Sequence, residues 1–267
     1  MRIGIIGTGH MGGMLTRAWT QTGDPQPIHI YNRTLEKAVS LYKENPDKII
    51  VHQDPETVIH ESDSLFLCLK AKDTWDILPQ IASSLSKDHR LFTTVSTITL
   101  AELEQALPCI VVKLIPSITQ NVLAGSQLVM FGSRVSADDQ RDMLTWLNRI
   151  GTPIPISEEQ IRICSDLTSC GPAFLADWLL RFAKAAQKEG LSWNMAVFLV
   201  QSMVSGVGQL LKEGAWELTD IIDQVAVPGG VTAAGLAVLR ASDDDVFASV
   251  FAATRARQEA ITRTNRG

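Results

Sequence analysis

Histidine is absent from this chain beyond His89. Everything after that point has no imidazole to serve as a general acid or base, and no histidine-based metal site can form there. Cysteine is scarce as well. Cys68, Cys109, Cys164 and Cys170 stand at spacings that suit neither a zinc site nor a disulfide framework. Reduced thiols, a cytoplasmic location and no bound metal are expected. An excess of positive charge is missing: the net charge is −5, which argues against non-specific nucleic-acid binding. The late arginines Arg255, Arg257, Arg263 and Arg266 read as the solvated end of a last helix, favoured by its C-terminal dipole. The longest uncharged run, 191–211, carries Asn194, Gln201, Gln209 and several serines. It is not read as a membrane span. The sequence begins directly on a core strand, so no secretory leader is expected.

What is present begins with Ile3-Gly4-Ile5-Ile6, a short buried strand, followed by Gly7-Thr8-Gly9-His10-Met11-Gly12 and an apolar helical pattern to Trp19. A strand, a G-x-G-x-x-G turn and a helix start form a dinucleotide-binding fingerprint. The first glycine allows the turn, the second lets backbone approach a pyrophosphate, and the third lets helix and strand pack closely. The phosphates then sit on the helix N-terminus. A second strand, Ile28–Tyr31, ends in Asn32-Arg33-Thr34 and lacks the acid that grips a ribose 2′-hydroxyl. Arg33 can pair with a 2′-phosphate as a charged fork, with Asn32 and Thr34 as hydrogen-bond donors. The cofactor expected is NADP(H). Thr34 also stands where it can cap the helix 35–44.

Strands at 49–51, 64–69, 91–95, 110–115, 128–131 and 154–156 alternate with helices at 55–61, 74–85, 100–107 and 137–150. The last helix starts at the capping pair Ser136 and Asp139. This alternation predicts an α/β fold, a Rossmann-like doubly wound and mostly parallel sheet. From about Ser157 strands give way to helices, at 172–188, 193–212, 218–224, 233–239 and 244–262. The expected division is a nucleotide-binding domain over 1–157 and an all-α dimerisation and substrate domain over 158–267. The helix 193–212 is apolar on nearly every side. So small a domain has little interior to hide it in, and burial between subunits is expected.

Ligands in such sheets lie at the carboxyl ends of the strands. That nominates Gly7–Gly12, Asn32–Thr34, Leu69–Lys70, Ser96–Thr97 and Pro116–Thr119 as the cofactor wall. In the helical part, two stretches look like more than helix punctuation: Thr168-Ser169-Cys170-Gly171-Pro172 and Pro228-Gly229-Gly230-Val231-Thr232. The second can offer Gly229 and Gly230 backbone N–H groups and the Thr232 hydroxyl to a carboxylate. Without a histidine in this part, a substrate that arrives already protonated, such as a cyclic iminium, suits the chain better than a neutral ketone.

Together these pieces resemble the pyrroline-5-carboxylate reductase family over essentially the whole chain. Its second-domain signature is approximated by Val225-Ala226-Val227-Pro228-Gly229-Gly230-Val231-Thr232, and its Ser-Gly-Pro-Ala-Tyr block by Ser169-Cys170-Gly171-Pro172-Ala173-Phe174. The resemblance implies NADPH-dependent reduction of 1-pyrroline-5-carboxylate to proline by dimers or larger homo-oligomers, with interleaved C-terminal helices. It implies Thr232, Gly229 and Gly230 at the substrate. It also implies Gly7, Thr8, Gly9, His10, Met11, Gly12, Asn32, Arg33, Thr34, Leu69, Lys70 and Thr97 at the cofactor. The family's Ser before Pro-Gly-Gly is Val227 here, and its Glu-His-Pro-Gly stretch reads Gly214-Ala215-Trp216-Glu217-Leu218. Pro116-Ser117-Ile118-Thr119, Ser-Cys-Gly-Pro-Ala-Phe and Pro-Gly-Gly-Val-Thr resemble the late competence protein ComER branch. Two other readings stay open: a non-catalytic NADP-binding regulator like that branch, and a β-hydroxyacid dehydrogenase. The latter needs a Lys soon after the Gly-rich helix start, and none occurs between Gly171 and Lys184.

Overall fold

The computed structural model describes residues 1–241 and 245–266. It divides into two compact units, Met1–Pro172 with Arg255–Gly267, and Ala173–Thr254. The chain thus crosses from one unit to the other twice, once inside α8 (Gly171–Lys188) and once inside α12 (Asp245–Arg266).

The first unit is built on an eight-stranded sheet in the order β3-β2-β1-β4-β5-β6-β7-β8. The strands are β1 (Ile3–Ile6), β2 (Ile28–Tyr31), β3 (Ile49–Val51), β4 (Ser64–Leu67), β5 (Arg90–Thr93), β6 (Ile110–Ile115), β7 (Ser126–Phe131) and β8 (Thr152–Pro155). All neighbours pair parallel except β6 and β7. The order reverses between β2-β1 and β4, which is the switch point where such sheets bind ligands. Apolar runs such as Leu65-Phe66-Leu67 are buried because helices cover both faces.

On one face α1 (His10–Gln21), α2 (Leu35–Glu44) and α6 (Ala137–Leu147) pack around Trp19, Phe66, Phe92 and Trp146. Trp19 and Trp146 stack at 4.3 Å between ring centroids. On the other face α3 (Pro55–Glu61), α4 (Ala71–Ile81) and α5 (Leu100–Ala106) cover Ile6, Leu67, Leu91 and Val111. Ser136 caps α6 through its bond from the Asp139 amide, as its sequence position implies.

Some boundaries move. The fourth and fifth strands stop at Leu67 and Thr93, short of the expected 69 and 95. Helix α4 begins at Ala71, three residues before the expected start. It carries Pro79 inside its last turn and gives way to a 3-10 turn at Ala82–Ser84. The stretch 161–171, left outside the predicted helices, is helical. It forms α7 (Ile161–Ser165), then a π-helical turn at Asp166–Cys170 that runs into α8. Arg162 and Asp166, one turn apart, pair at 2.6 Å across the junction.

The second unit holds most of α8, α9 (Trp193–Lys212), α10 (Leu218–Val225), α11 (Val231–Ala241) and the first part of α12. Gly190 and Gly214, at φ +98° and +71°, terminate α8 and α9 in the left-handed conformation. The expected start of the last helix at Asp244 lies outside the described residues. Among the described residues of this unit, only Ala183 and Ala196 are buried apolar side chains. Trp178, Phe182, Phe198 and Val238 are open to solvent. By length and composition α9 could cross a membrane. The Asn194, Gln201 and Gln209 amides it carries would be costly there.

Candidate functional site

The site is assembled where β1 meets the N-terminus of α1. Gly7 adopts φ +95°, and a Cβ there would stand 2.6 Å from the Cys68 carbonyl oxygen. A Cβ on Gly12 would run into the Gly7 carbonyl oxygen. These two glycines are therefore required by the turn and by helix–strand contact. Gly9 differs, for no atom lies within 4 Å of where its Cβ would be. Nothing within the chain requires a glycine there, and the space beside it is open. No side chain caps α1, and no acid stands in its first turn. The amides at its start are free to meet an anion.

The second strand supplies the next wall. Asn32 accepts a 2.8 Å bond from the Thr8 amide and donates one of 2.8 Å to the Thr34 carbonyl, which fixes the β2 exit against the glycine turn. Arg33 is 82% exposed in its side chain and, among the described residues, pairs with Asp73 at 3.1 Å. Thr34 occupies the N-cap position of α2 yet makes no side-chain capping bond. Its hydroxyl is left for another partner. Buried Thr8 Oγ1 likewise has no hydrogen-bond partner among the described residues. An open Gly9, a buried Thr8 hydroxyl and a β2 end that carries Arg33 and no acid of its own fit a dinucleotide carrying a 2′-phosphate, for which Arg33 would exchange its contact with Asp73. Gly7–Gly12 and Asn32–Thr34 would hold it, and when bound it would supply a hydride. His10 and Met11 lie exposed on the same turn, and Leu69 and Lys70 lead into α4, with Lys70 at its N-cap. Beneath the turn, burial pushes the Cys68 thiol up to about 12, which keeps it protonated.

Further along the same sheet edge lies a cavity of about 160 Å³ between the exits of β5 and β6. Thr94, Ser96, Ile115, Ile161, Arg162, Ser165, Cys170 and Gln258 line it. The last of these comes from the end of α12, which belongs to the same unit. Thr97, half-buried, follows Ser96 in this turn. The wall is held by reciprocal bonds: Ser117 Oγ donates to the Thr168 carbonyl at 2.7 Å, and Ser169 Oγ to the Pro116 carbonyl at 2.8 Å. Pro116–Thr119 thus fastens the π-helical turn. Buried Lys113 on β6 pairs with Glu158, whose carboxylate also accepts from the Leu100 amide at 3.1 Å. Sequence reasoning missed Arg162, Lys113 and Gln258. A lysine inside the apolar run 110–115 was the one readable signal.

Gly229, Gly230 and Thr232 lie in the second unit. Gly229 has φ +76°, the Gly230 amide closes a turn on the Val227 carbonyl at 3.0 Å, and exposed Thr232 is the second residue of α11. The predicted cofactor residues are thus gathered along one sheet edge, and the predicted substrate residues stand in a loop and helix start of the other unit.

A glycine turn at a switch point followed by a helical unit defines the class of two-domain nicotinamide-dependent oxidoreductases. The family model for NADP oxidoreductase, coenzyme F420-dependent, matches residues 2–96, and that for pyrroline-5-carboxylate reductase dimerisation matches residues 158–261. ComE operon protein 4 of Bacillus subtilis is 35% identical over 97% of this chain and 96% of its own length. Pyrroline-5-carboxylate reductase 3 of the same organism is 26% identical over 98% and 97%. The chain belongs to the pyrroline-5-carboxylate reductase family, in the branch of ComE operon protein 4. Its fold is that of solved relatives. A pyrroline-5-carboxylate reductase from Coxiella burnetii superposes with TM-score 0.88 at 22% identity, covering 97% of this chain and 98% of that one. Plasmodium falciparum pyrroline carboxylate reductase with NADP bound superposes with TM-score 0.78 at 20% identity, covering 99% and 97%.

Proposed function

We propose that the protein binds NADP(H) along the β1–β2 edge and reduces a cyclic imine carboxylate, 1-pyrroline-5-carboxylate, to L-proline. The observation that carries the cofactor half is the exit of β2. Exposed Arg33 and the uncapped Thr34 hydroxyl stand there with no acid on the strand end. The reaction is supported by family membership and by the absence of any histidine after His89. A cyclic iminium brings its own proton and asks the protein for orientation and carboxylate binding rather than strong acid catalysis. In this reading the Thr232 hydroxyl and the Gly229–Gly230 turn at the start of α11 receive the carboxylate. The active form is a homodimer or larger homo-oligomer, supported by the apolar faces the helical unit leaves open. The free thiols fit a reducing compartment such as the cytoplasm.

The test is NADPH oxidation with 1-pyrroline-5-carboxylate, beside an NADPH-binding titration. Turnover establishes the reductase. On that reading Thr232→Ala raises KM or lowers kcat while NADPH affinity holds, and unchanged kinetics remove Thr232 from the site. A second reading, an NADP-binding regulator without turnover, is favoured by Val227. That residue precedes Pro228-Gly229-Gly230 with a side chain that cannot hydrogen-bond. Tight NADPH binding with no oxidation of cofactor selects it.

A further inference from the structure

The end of β2 carries no acid of its own, but a carboxylate reaches it from another element. The strand order β2-β1-β4 puts the start of α4 on the far side of the glycine turn from Arg33. From the first turn of α4, Asp73 Oδ1 accepts a bond from Arg33 Nη1 at 3.1 Å. The Thr74 amide and hydroxyl both donate to the Lys70 carbonyl, at 2.8 and 3.0 Å, and Thr74 is buried. The helix start that carries Asp73 is therefore fixed, and the Asp73 side chain is 32% exposed against 82% for Arg33. The turn reads Lys70-Ala71-Lys72-Asp73, and both lysines are exposed. Asp73 is the one anion in an otherwise cationic turn.

We propose that Asp73 is a selectivity residue of the cofactor site: it competes with the 2′-phosphate for Arg33 and so sets how strongly the protein prefers NADPH to NADH. The proposal rests on the NADP(H) half of the reading above and not on the choice of imine. A carboxylate could in principle aim an arginine at a ligand. This one touches a single guanidinium nitrogen of a largely exposed side chain, which does not lock a rotamer. It offsets the charge of Arg33 without directing it. A 2′-phosphate must either displace Asp73 from Arg33 or bind beside it. In the first case a contact is lost, and in the second the phosphate meets a carboxylate of like charge. Both lower its affinity. NADH has a hydroxyl at that position, so it neither calls on Arg33 nor is repelled by Asp73. The acid thus acts on one cofactor and spares the other.

The experiment compares the full-length wild type with Asp73→Asn, which keeps the size of the side chain and removes its charge. NADPH and NADH are titrated by fluorescence, and adenosine 2′,5′-bisphosphate, which has the 2′-phosphate but no nicotinamide, by calorimetry. Asp73→Asn should bind NADPH and the bisphosphate roughly fivefold more tightly and NADH as the wild type does. The gain should shrink when Arg33 is already Ala, because no contact is left to compete for. A circular dichroism melt matching the wild type shows that α4 keeps its fold. An unchanged ratio of NADPH to NADH affinity overturns the proposal. So does weaker NADPH binding in Asp73→Asn, which would make the acid a guide for Arg33 rather than a rival. A gain of equal size with and without Arg33 also overturns it, since loss of negative charge alone then accounts for the effect. A wild type that binds NADPH no better than NADH overturns both this proposal and the NADP(H) reading. A wild type that prefers NADPH while Asp73→Asn keeps the same preference overturns this proposal alone.

Discussion

The two units of this chain spend their apolar residues in opposite ways. The first closes its own core: Trp19, Phe66, Phe92 and Trp146 pack on one face of the sheet, and Leu65, Leu91 and Val111 lie fully buried. The second, of similar helical regularity, buries almost nothing, and Phe198 on α9 is 63% exposed. Helix formation alone does not make a core. A sheet offers two broad faces that helices can cover from one chain, whereas a few helices apolar on several sides need surface from elsewhere. The comparison predicts that the helical unit needs a partner surface for its apolar faces and that the nucleotide-binding unit does not.

Phe198→Glu should break this contrast most strongly. A charge placed in a buried interface costs about 3 kcal/mol per copy, and a two-fold interface counts it twice. With α9 in the proposed homodimer interface, its dissociation constant should then rise about 10⁴-fold by ultracentrifugation, with NADPH affinity retained. Gly12→Ala acts on the other unit. Its Cβ meets the Gly7 carbonyl oxygen, so α1 must back away. A cost of about 3 kcal/mol should weaken NADPH binding roughly 100-fold while the oligomer persists. Arg33→Ala sharpens the comparison within the first unit. Loss of charge-assisted bonds should weaken NADPH roughly 10- to 100-fold and leave NADH unchanged by fluorescence titration.

The smallest effect concerns acid. Burial works to raise the Asp24 carboxyl, but hydrogen bonds from Arg149 and from the Gln26 amide outweigh it and hold the group below its usual range. A group depressed in the folded state stabilises above its unfolded pKa and loses that contribution as pH falls. The first unit should therefore weaken below about pH 4. Asp24→Asn should make that acid limb of the melting temperature shallower, with no change in the oligomer at neutral pH.

Much of the first unit was legible because its signals are local. Strand-length apolar runs, glycines at fixed offsets and the Ser136 cap each act within a few residues. The nucleotide-binding residues share that property, since Gly7–Gly12 and Asn32–Thr34 are contiguous stretches at strand exits. Arg162 and Gln258 were not legible. They meet at the β5 exit from positions 96 residues apart, and no periodicity records that approach. The π-helical turn escaped for a related reason. Thr168-Ser169-Cys170 is poor in helix formers, and its winding is fixed by Ser117 and Pro116 across the chain.

The double crossing between units, at 172–173 and again at 254–255, makes the helical unit an insertion rather than a tail. Both ends of the described chain belong to the nucleotide-binding unit. A truncation after the last strand would therefore remove Gln258 from the cavity wall together with the helices, and would not yield an intact first unit. A single proteolytic nick at either crossing leaves the pieces joined, so separating them takes two cuts. The natural exchange module between relatives is the internal block 173–254, carried with both of its helical seams.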